Sequence, residues 1–210
     1  MAVSSFMRHL PNAITIARLG SVPVLLGLAQ YGMERPFAVL LFIALGSDVV
    51  DGWLARTLRV VSPAGAMLDS IADALLMMTI GYGVWVFHPI VYTEYGGFVW
   101  SVICLWGLEH VLALIRYRRP SSFHTSLVRF GVALFGLFLL ALFTIGFNAW
   151  LFFATFIVSV LAVAEQMAMM WILPTWTPNL RGGIVAALKH RLHAKDPAPE
   201  SGGDLPDRDA

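Results

Sequence analysis

Apolar runs about twenty residues long, divided by short polar or breaker-rich stretches, cover most of this chain. Such runs occupy roughly residues 13–32, 37–57, 64–87, 97–116, 126–147 and 149–172, each near the ~20 residues that a helix needs to cross a bilayer. The breaks between them hold residues that stop helices: Gly32 to Pro36, Ser62-Pro63, His88-Pro89, Arg119-Pro120 and Gly146 to Asn148. The pattern predicts an all-α integral membrane protein with about six transmembrane helices in one bundle. Only Arg59-Val60-Val61-Ser62-Pro63 separates the second run from the third, and a turn that short predicts an antiparallel hairpin. Beyond residue 172 the apolar runs stop. Residues 177–193 suit a basic interfacial segment, and residues 194–210, rich in Pro, Gly and Asp, suit a disordered tail. The expected membrane domain is therefore residues 1–193.

Composition agrees with a membrane protein. Hydrophobic residues make up 58% of the chain and charged residues 13%, whereas a soluble domain is about 45–50% apolar. Mean hydropathy is +0.75. The length suits one compact membrane domain. A formal net charge of +1 offers nothing to attract nucleic acid, so the distribution of charge matters more than its sum. With the N-terminus in the cytoplasm, Arg8, Arg56, Arg59, Arg116, Arg118, Arg119, Arg181, Lys189, Arg191 and Lys195 fall on the inner side, and the outer loops keep Arg35. The positive-inside rule then predicts that both termini are cytoplasmic. Tyr92, Tyr95, Trp100 and Trp150 fall near the outer interface, and Trp171 and Trp176 near the inner one, as aromatic belts do. Arg18 interrupts the first run and no small-residue cleavage site follows it, which favours a retained helix over a signal peptide. The single cysteine, Cys104, excludes an intramolecular disulfide and any cysteine-cluster metal site.

Four aspartates break the apolar pattern from within: Asp48 and Asp51 in the second run, Asp69 and Asp73 in the third. Each carboxylate in lipid costs roughly 2.5–3.5 kcal/mol on insertion scales, so a use is implied. Asp48 and Asp51 are three residues apart and Asp69 and Asp73 four apart, which puts each pair on one helix face. The hairpin brings both pairs toward the cytoplasmic side, within reach of water. Divalent cations answer the charge, because about two of them cancel four carboxylates. Gly52 leaves the backbone open to a close ligand, Ala55 keeps the same surface low, and Arg56 can pair with phosphate through charge-assisted hydrogen bonds. Gly65 suits close helix packing.

These residues compose Asp48-x2-Asp51-Gly52-x2-Ala55-Arg56-x8-Gly65-x3-Asp69-x3-Asp73, which resembles the signature of the CDP-alcohol phosphotransferases at every fixed position. A second stretch, Pro11-Asn12-x2-Thr15-x2-Arg18, is similar to the start of the first helix in bacterial phosphatidylglycerophosphate and cardiolipin synthases of that family. The resemblance implies transfer of a phosphatidyl group from CDP-diacylglycerol to a small alcohol, with release of CMP. It implies Mg2+ or Mn2+, two ions, held by Asp48, Asp51, Asp69 and Asp73, with Asp73 also the general base toward the acceptor hydroxyl. Gly52, Ala55 and Arg56 would border the CDP group. It further implies a homodimer in the cell inner membrane, with the active site toward the cytoplasm.

Glycerol 3-phosphate is the expected acceptor, giving phosphatidylglycerophosphate. Arg116, Arg119, Thr125 and Arg129 lie around the loop between the fourth and fifth runs and can bind an acceptor phosphate, although positive-inside topology also accounts for arginines there. Phosphatidylglycerophosphate synthases carry an Arg-Glu pair in the fourth helix and a Gly-Lys segment before the fifth. This chain has Leu108-Glu109 and Ser122-Phe123-His124-Thr125 instead, so inositol phosphate, phosphatidylglycerol or another alcohol stays open. Asn12, Thr15 and Arg18 recur every three residues and suit either a site entrance or a polar helix start with a snorkelling arginine. Glu109 and Glu165 are intramembrane acids without a motif. A cation or proton transporter also uses membrane acids, but needs them spread through the bilayer's depth, whereas these aspartates cluster on one side.

Overall fold

The computed structural model describes residues 5–58, 63–118, 125–173, 183–185, 188 and 192, with side chains described for 13–47, 65, 67–118 and the later residues of that set. Among the described residues seven helices have defined bounds: α1 (Ser5–Gln30), α2 (Glu34–Leu58), α3 (Pro63–Phe87), α4 (Ile90–Thr93), α5 (Gly96–Tyr117), α6 (Ser126–Thr144) and α7 (Ala149–Ile172). The described residues contain no strand. Among the described residues, five helices have stretches long and apolar enough to cross a membrane: Ala13–Gln30, Met67–Phe87, Gly96–Tyr117, Ser126–Thr144 and Ala149–Ile172. α2 is as long as α3, at 25 residues, and carries Glu34, Arg35, Asp48, Asp51 and Arg56; its side chains are described only as far as residue 47. The protein is an all-α, multi-pass integral membrane protein.

The helix ends follow local chemistry. α1 closes with Gly32 at φ +68, where Met33 N–H donates to the Leu28 carbonyl at 2.9 Å and Gly32 N–H to that of Ala29 at 3.1 Å. This is the paired closure of a Schellman motif, and it needs a residue that tolerates the left-handed region. α6 ends at Thr144, short of the expected 147, because Ile145 and Gly146 both donate to the Ala141 carbonyl and Gly146 turns the chain at φ +100. Asn148 caps α7 by accepting from Leu151 N–H at 3.0 Å. α1 begins at Ser5 rather than near 13, because backbone hydrogen bonding continues into polar turns that an apolar run does not reveal. The short α4 carries no hydropathy signal. It places Tyr92, whose hydroxyl donates to the Gly81 carbonyl at 3.2 Å and whose phenol is pushed above its ordinary range by burial.

The chain divides into two compact units, residues 1–100 with 135–153, and residues 101–134 with 154–210. In the first, α1 packs along both α2 and α3, and among the described residues α2 and α3 touch each other little. The buried face of α1 is Thr15, Arg18, Val22, Leu25 and Ala29, at alternating spacings of three and four. Phe37, Leu41 and Ala44 line α2, and Ala72, Leu76, Ile80 and Val84 line α3. Lipid tails are as apolar as leucine, so close packing rather than water exclusion holds such helices together. Gly83 illustrates this: a methyl there would overlap the Phe37 ring. The far end of this unit is aromatic, with Phe37 5.4 Å from Phe87 and 5.5 Å from Phe143.

In the second unit Ala113, Met169, Met170 and Leu173 form a small core. Tyr117 Oη lies 3.0 Å from the Met170 carbonyl and 2.9 Å from that of Leu173, and Arg116 donates to the Leu173 carbonyl at 3.4 Å. These contacts answer carbonyls that the C-terminus of α7 leaves unbonded. Met77 and Met78 are exposed on α3 while Met169 is fully buried, so the methionines divide between lipid-facing and packing positions. Cys104 is exposed on α5.

Candidate functional site

Asp69 and Asp73 stand one turn apart near the start of α3, on the face that continues into Ala72 and Leu76. Each aspartate is half open: side-chain exposure is 43% for Asp69 and 49% for Asp73. Both accept from the same nitrogen. Arg18 Nη1 donates to Asp73 Oδ1 at 2.8 Å and to Asp69 Oδ1 at 3.2 Å, while the Arg18 side chain is itself fully buried. Two carboxylates that meet at one cationic nitrogen are placed to share one cation.

Arg18 reaches them because of where α1 holds it. It occupies the buried stripe between Thr15 and Val22, and Ser21 Oγ donates to its carbonyl at 2.6 Å. A snorkelling arginine would run its head group outward to water; this one points inward. Hydropathy alone leaves Arg18 undecided. The signal that identifies it is the three-four spacing, which puts residue 18 in line with Leu25 and Ala29.

Asp48, Asp51, Gly52, Ala55 and Arg56 lie on the last turns of α2; their side chains, and residues 59–62 that link α2 to α3, are outside the described part. By position, Asp48 and Asp51 follow Phe37, Leu41 and Ala44 at the same alternating spacing. The donor chemistry fits a hard divalent ion: carboxylate oxygens already converge at Asp69 and Asp73, and Mg2+ or Mn2+ prefers oxygen ligands. Among the described residues no group of three His, Cys, Asp or Glu gathers as a metal site.

The acceptor candidates belong to the second unit. Arg129 is exposed on the first turn of α6. Thr125 is fully buried and caps α6, its Oγ1 accepting from Val128 N–H at 3.2 Å. Arg116 is tied to the end of α7 through the Leu173 carbonyl, with its guanidinium 5.6 Å from the Tyr117 ring centre. Arg119 lies outside the described residues. Glu109 is fully buried, with Oε2 2.7 Å from His110 Nδ1, and a methyl on Gly183 would overlap the Glu165 carboxylate.

The CDP-alcohol phosphatidyltransferase family pattern matches residues 8–176. The chain belongs to this family. Its relatives include the CDP-diacylglycerol--glycerol-3-phosphate 3-phosphatidyltransferase of Rickettsia typhi, 39% identical over 74 residues that cover 34% of this chain and 42% of that protein. The protein of the same name from Bacillus subtilis is 36% identical over 86 residues, 34% of this chain and 45% of that one. A cardiolipin synthase (CMP-forming) of Oryza sativa subsp. japonica is 37% identical over 73 residues, 32% of this chain and 22% of that one. The chain therefore spans less than half the length of these relatives. No solved structure matches it.

Proposed function

We propose that the protein moves a phosphatidyl group from CDP-diacylglycerol to glycerol 3-phosphate, releasing CMP and forming phosphatidylglycerophosphate. The observation that carries this reading is the convergence of Asp69 and Asp73 at one cationic point, within a complete family signature. The relatives named for glycerol 3-phosphate transfer support the acceptor.

In this reading Asp48, Asp51, Asp69 and Asp73 would hold two ions of Mg2+ or Mn2+. Bound there, the ions neutralise the diphosphate and the departing CMP. Phosphoryl transfer depends on positioning and charge compensation more than on covalent participation by protein. Asp73 takes the proton from the acceptor hydroxyl as that oxygen attacks the phosphorus bearing the diacylglycerol. The bond from that phosphorus to the bridging oxygen breaks, and CMP leaves with the electron pair. Arg56 grips a donor phosphate, and Gly52 and Ala55 leave room for the nucleotide. Arg116, Arg119, Thr125 and Arg129 serve the acceptor phosphate.

The same reading makes α2 a sixth span, both termini cytoplasmic, residues 1–193 one membrane domain, and the protein a homodimer in the cell inner membrane; the expected tail, 194–210, lies outside the described residues. The test is CMP release by purified protein with CDP-diacylglycerol, Mg2+ or Mn2+, and a panel of alcohols. Glycerol 3-phosphate should support the fastest turnover. A faster rate with inositol phosphate or phosphatidylglycerol would reassign the acceptor, and no CMP with any alcohol would refute the activity.

A further inference from the structure

We infer that Arg18 is a positioning residue of this site, acting through Asp69 and Asp73 as a resident counter-cation. This rests on the metal-dependent reading above. The Arg18 side chain is fully buried, whereas the carboxylates it joins are nearly half open. The guanidinium therefore holds Oδ1 of each aspartate from the protein side, and the exposed part of each side chain stays accessible to a ligand.

Two consequences follow from charge. Without Arg18, Asp69 and Asp73 repel each other across one helical turn, since like charges at this spacing are unfavourable, and the two bonds that draw them to one nitrogen are lost. Arg18 also places a fixed positive charge beside any dication bound by the same carboxylates, and like charges this close oppose each other. It keeps the metal-free carboxylates ordered and tempers the affinity for the ion. A buried arginine suits both roles, because its charge is permanent and one planar group can donate to two acceptors.

The test is Mn2+ binding to detergent-purified protein, read from the electron paramagnetic resonance signal of free Mn2+, without substrate. Arg18→Gln removes the charge and keeps a polar side chain. It should bind Mn2+ about tenfold more tightly, the full Coulomb effect being reduced by the openness of the carboxylates. In the same protein the temperature of unfolding without metal should fall, and the rise that Mn2+ produces should grow. Arg18→Lys keeps the charge and should bind Mn2+ within about threefold of wild type. Wild-type or weaker Mn2+ affinity in Arg18→Gln overturns the role of Arg18 and leaves the metal site standing. If Arg18→Gln does not fold, Arg18→Lys decides: affinity near wild type supports the inference, and a tenfold change overturns it. Asp69→Asn is the control for the underlying reading. If wild type and Asp69→Asn bind Mn2+ equally, or neither binds, the metal site and the role of Arg18 both fall.

Discussion

Replacing Asp73 with asparagine should separate chemistry from stability. In the folded protein Asp73 Oδ1 accepts from Arg18 Nη1 at 2.8 Å, a shorter bond than the one that nitrogen makes to Asp69. Asparagine keeps an acceptor oxygen at that place and loses the charge. Arg18 stays charged, so its bond to the asparagine oxygen remains charge-assisted from the donor side; the loss is only part of the about 1.5–3 kcal/mol that such a bond contributes. Screening lowers that further, because the Asp73 side chain is 49% exposed. Turnover should respond on another scale. Removing a general base costs about 10^2–10^4-fold, and the lost metal ligand adds to it. The assay is CMP release at saturating CDP-diacylglycerol across a glycerol 3-phosphate titration, with size-exclusion and thermal unfolding on the same preparation. We expect folded protein, kcat down at least 100-fold, and an acceptor KM near wild type where residual activity permits it. A folded Asp73→Asn protein with turnover within tenfold of wild type refutes both the proton-accepting and the ligand role.

Arg56→Lys keeps the charge and loses the planar fork; it should raise the KM for CDP-diacylglycerol, Arg56→Ala more so, and unchanged values in both would remove Arg56 from the donor site. Arg129→Ala should raise the glycerol 3-phosphate KM about 10- to 150-fold, the worth of one charge-assisted hydrogen bond, with the donor KM unmoved; a wild-type acceptor KM would reduce this arginine to a topology signal. Arg116→Ala should also lower thermal stability, since Arg116 bonds the Leu173 carbonyl, and a variant with wild-type unfolding would show that contact to be inconsequential. Gly83→Ala forces a methyl into the Phe37 ring, which Phe87 and Phe143 confine. Such overpacking costs about 1–3 kcal/mol, readable as a lower unfolding temperature in detergent that Phe37→Leu should partly restore.

Much of the architecture was legible before any tertiary contact was considered. Apolar runs of bilayer length predict helices wherever they occur, because a backbone in lipid must satisfy its own hydrogen bonds. The starts of α5, α6 and α7 lie within a residue of the expected positions. The short α4 and the end of α6 were not legible, since these depend on turn geometry at Pro89 and Gly146 rather than on hydropathy, and the start of α1 was not, because helical hydrogen bonding runs on beyond the apolar run.

The aspartate spacing determined that Asp48 with Asp51, and Asp69 with Asp73, each share a helix face, because helical period is a property of the chain alone. It also determined the family signature and, with it, the expectation of compensating cations. It left Arg18 divided between a site and a snorkelling head group, since both suit an arginine in the first turns of an apolar helix. Packing decided between them. α1 lies along both α2 and α3, and its stripe from Thr15 to Ala29 is buried. The Arg18 side chain therefore extends from α1 to the carboxylates of α3, 51 and 55 residues further along the chain. A separation of that size has no periodicity to betray it; only the approach of two helices brings that arginine and those aspartates to one point.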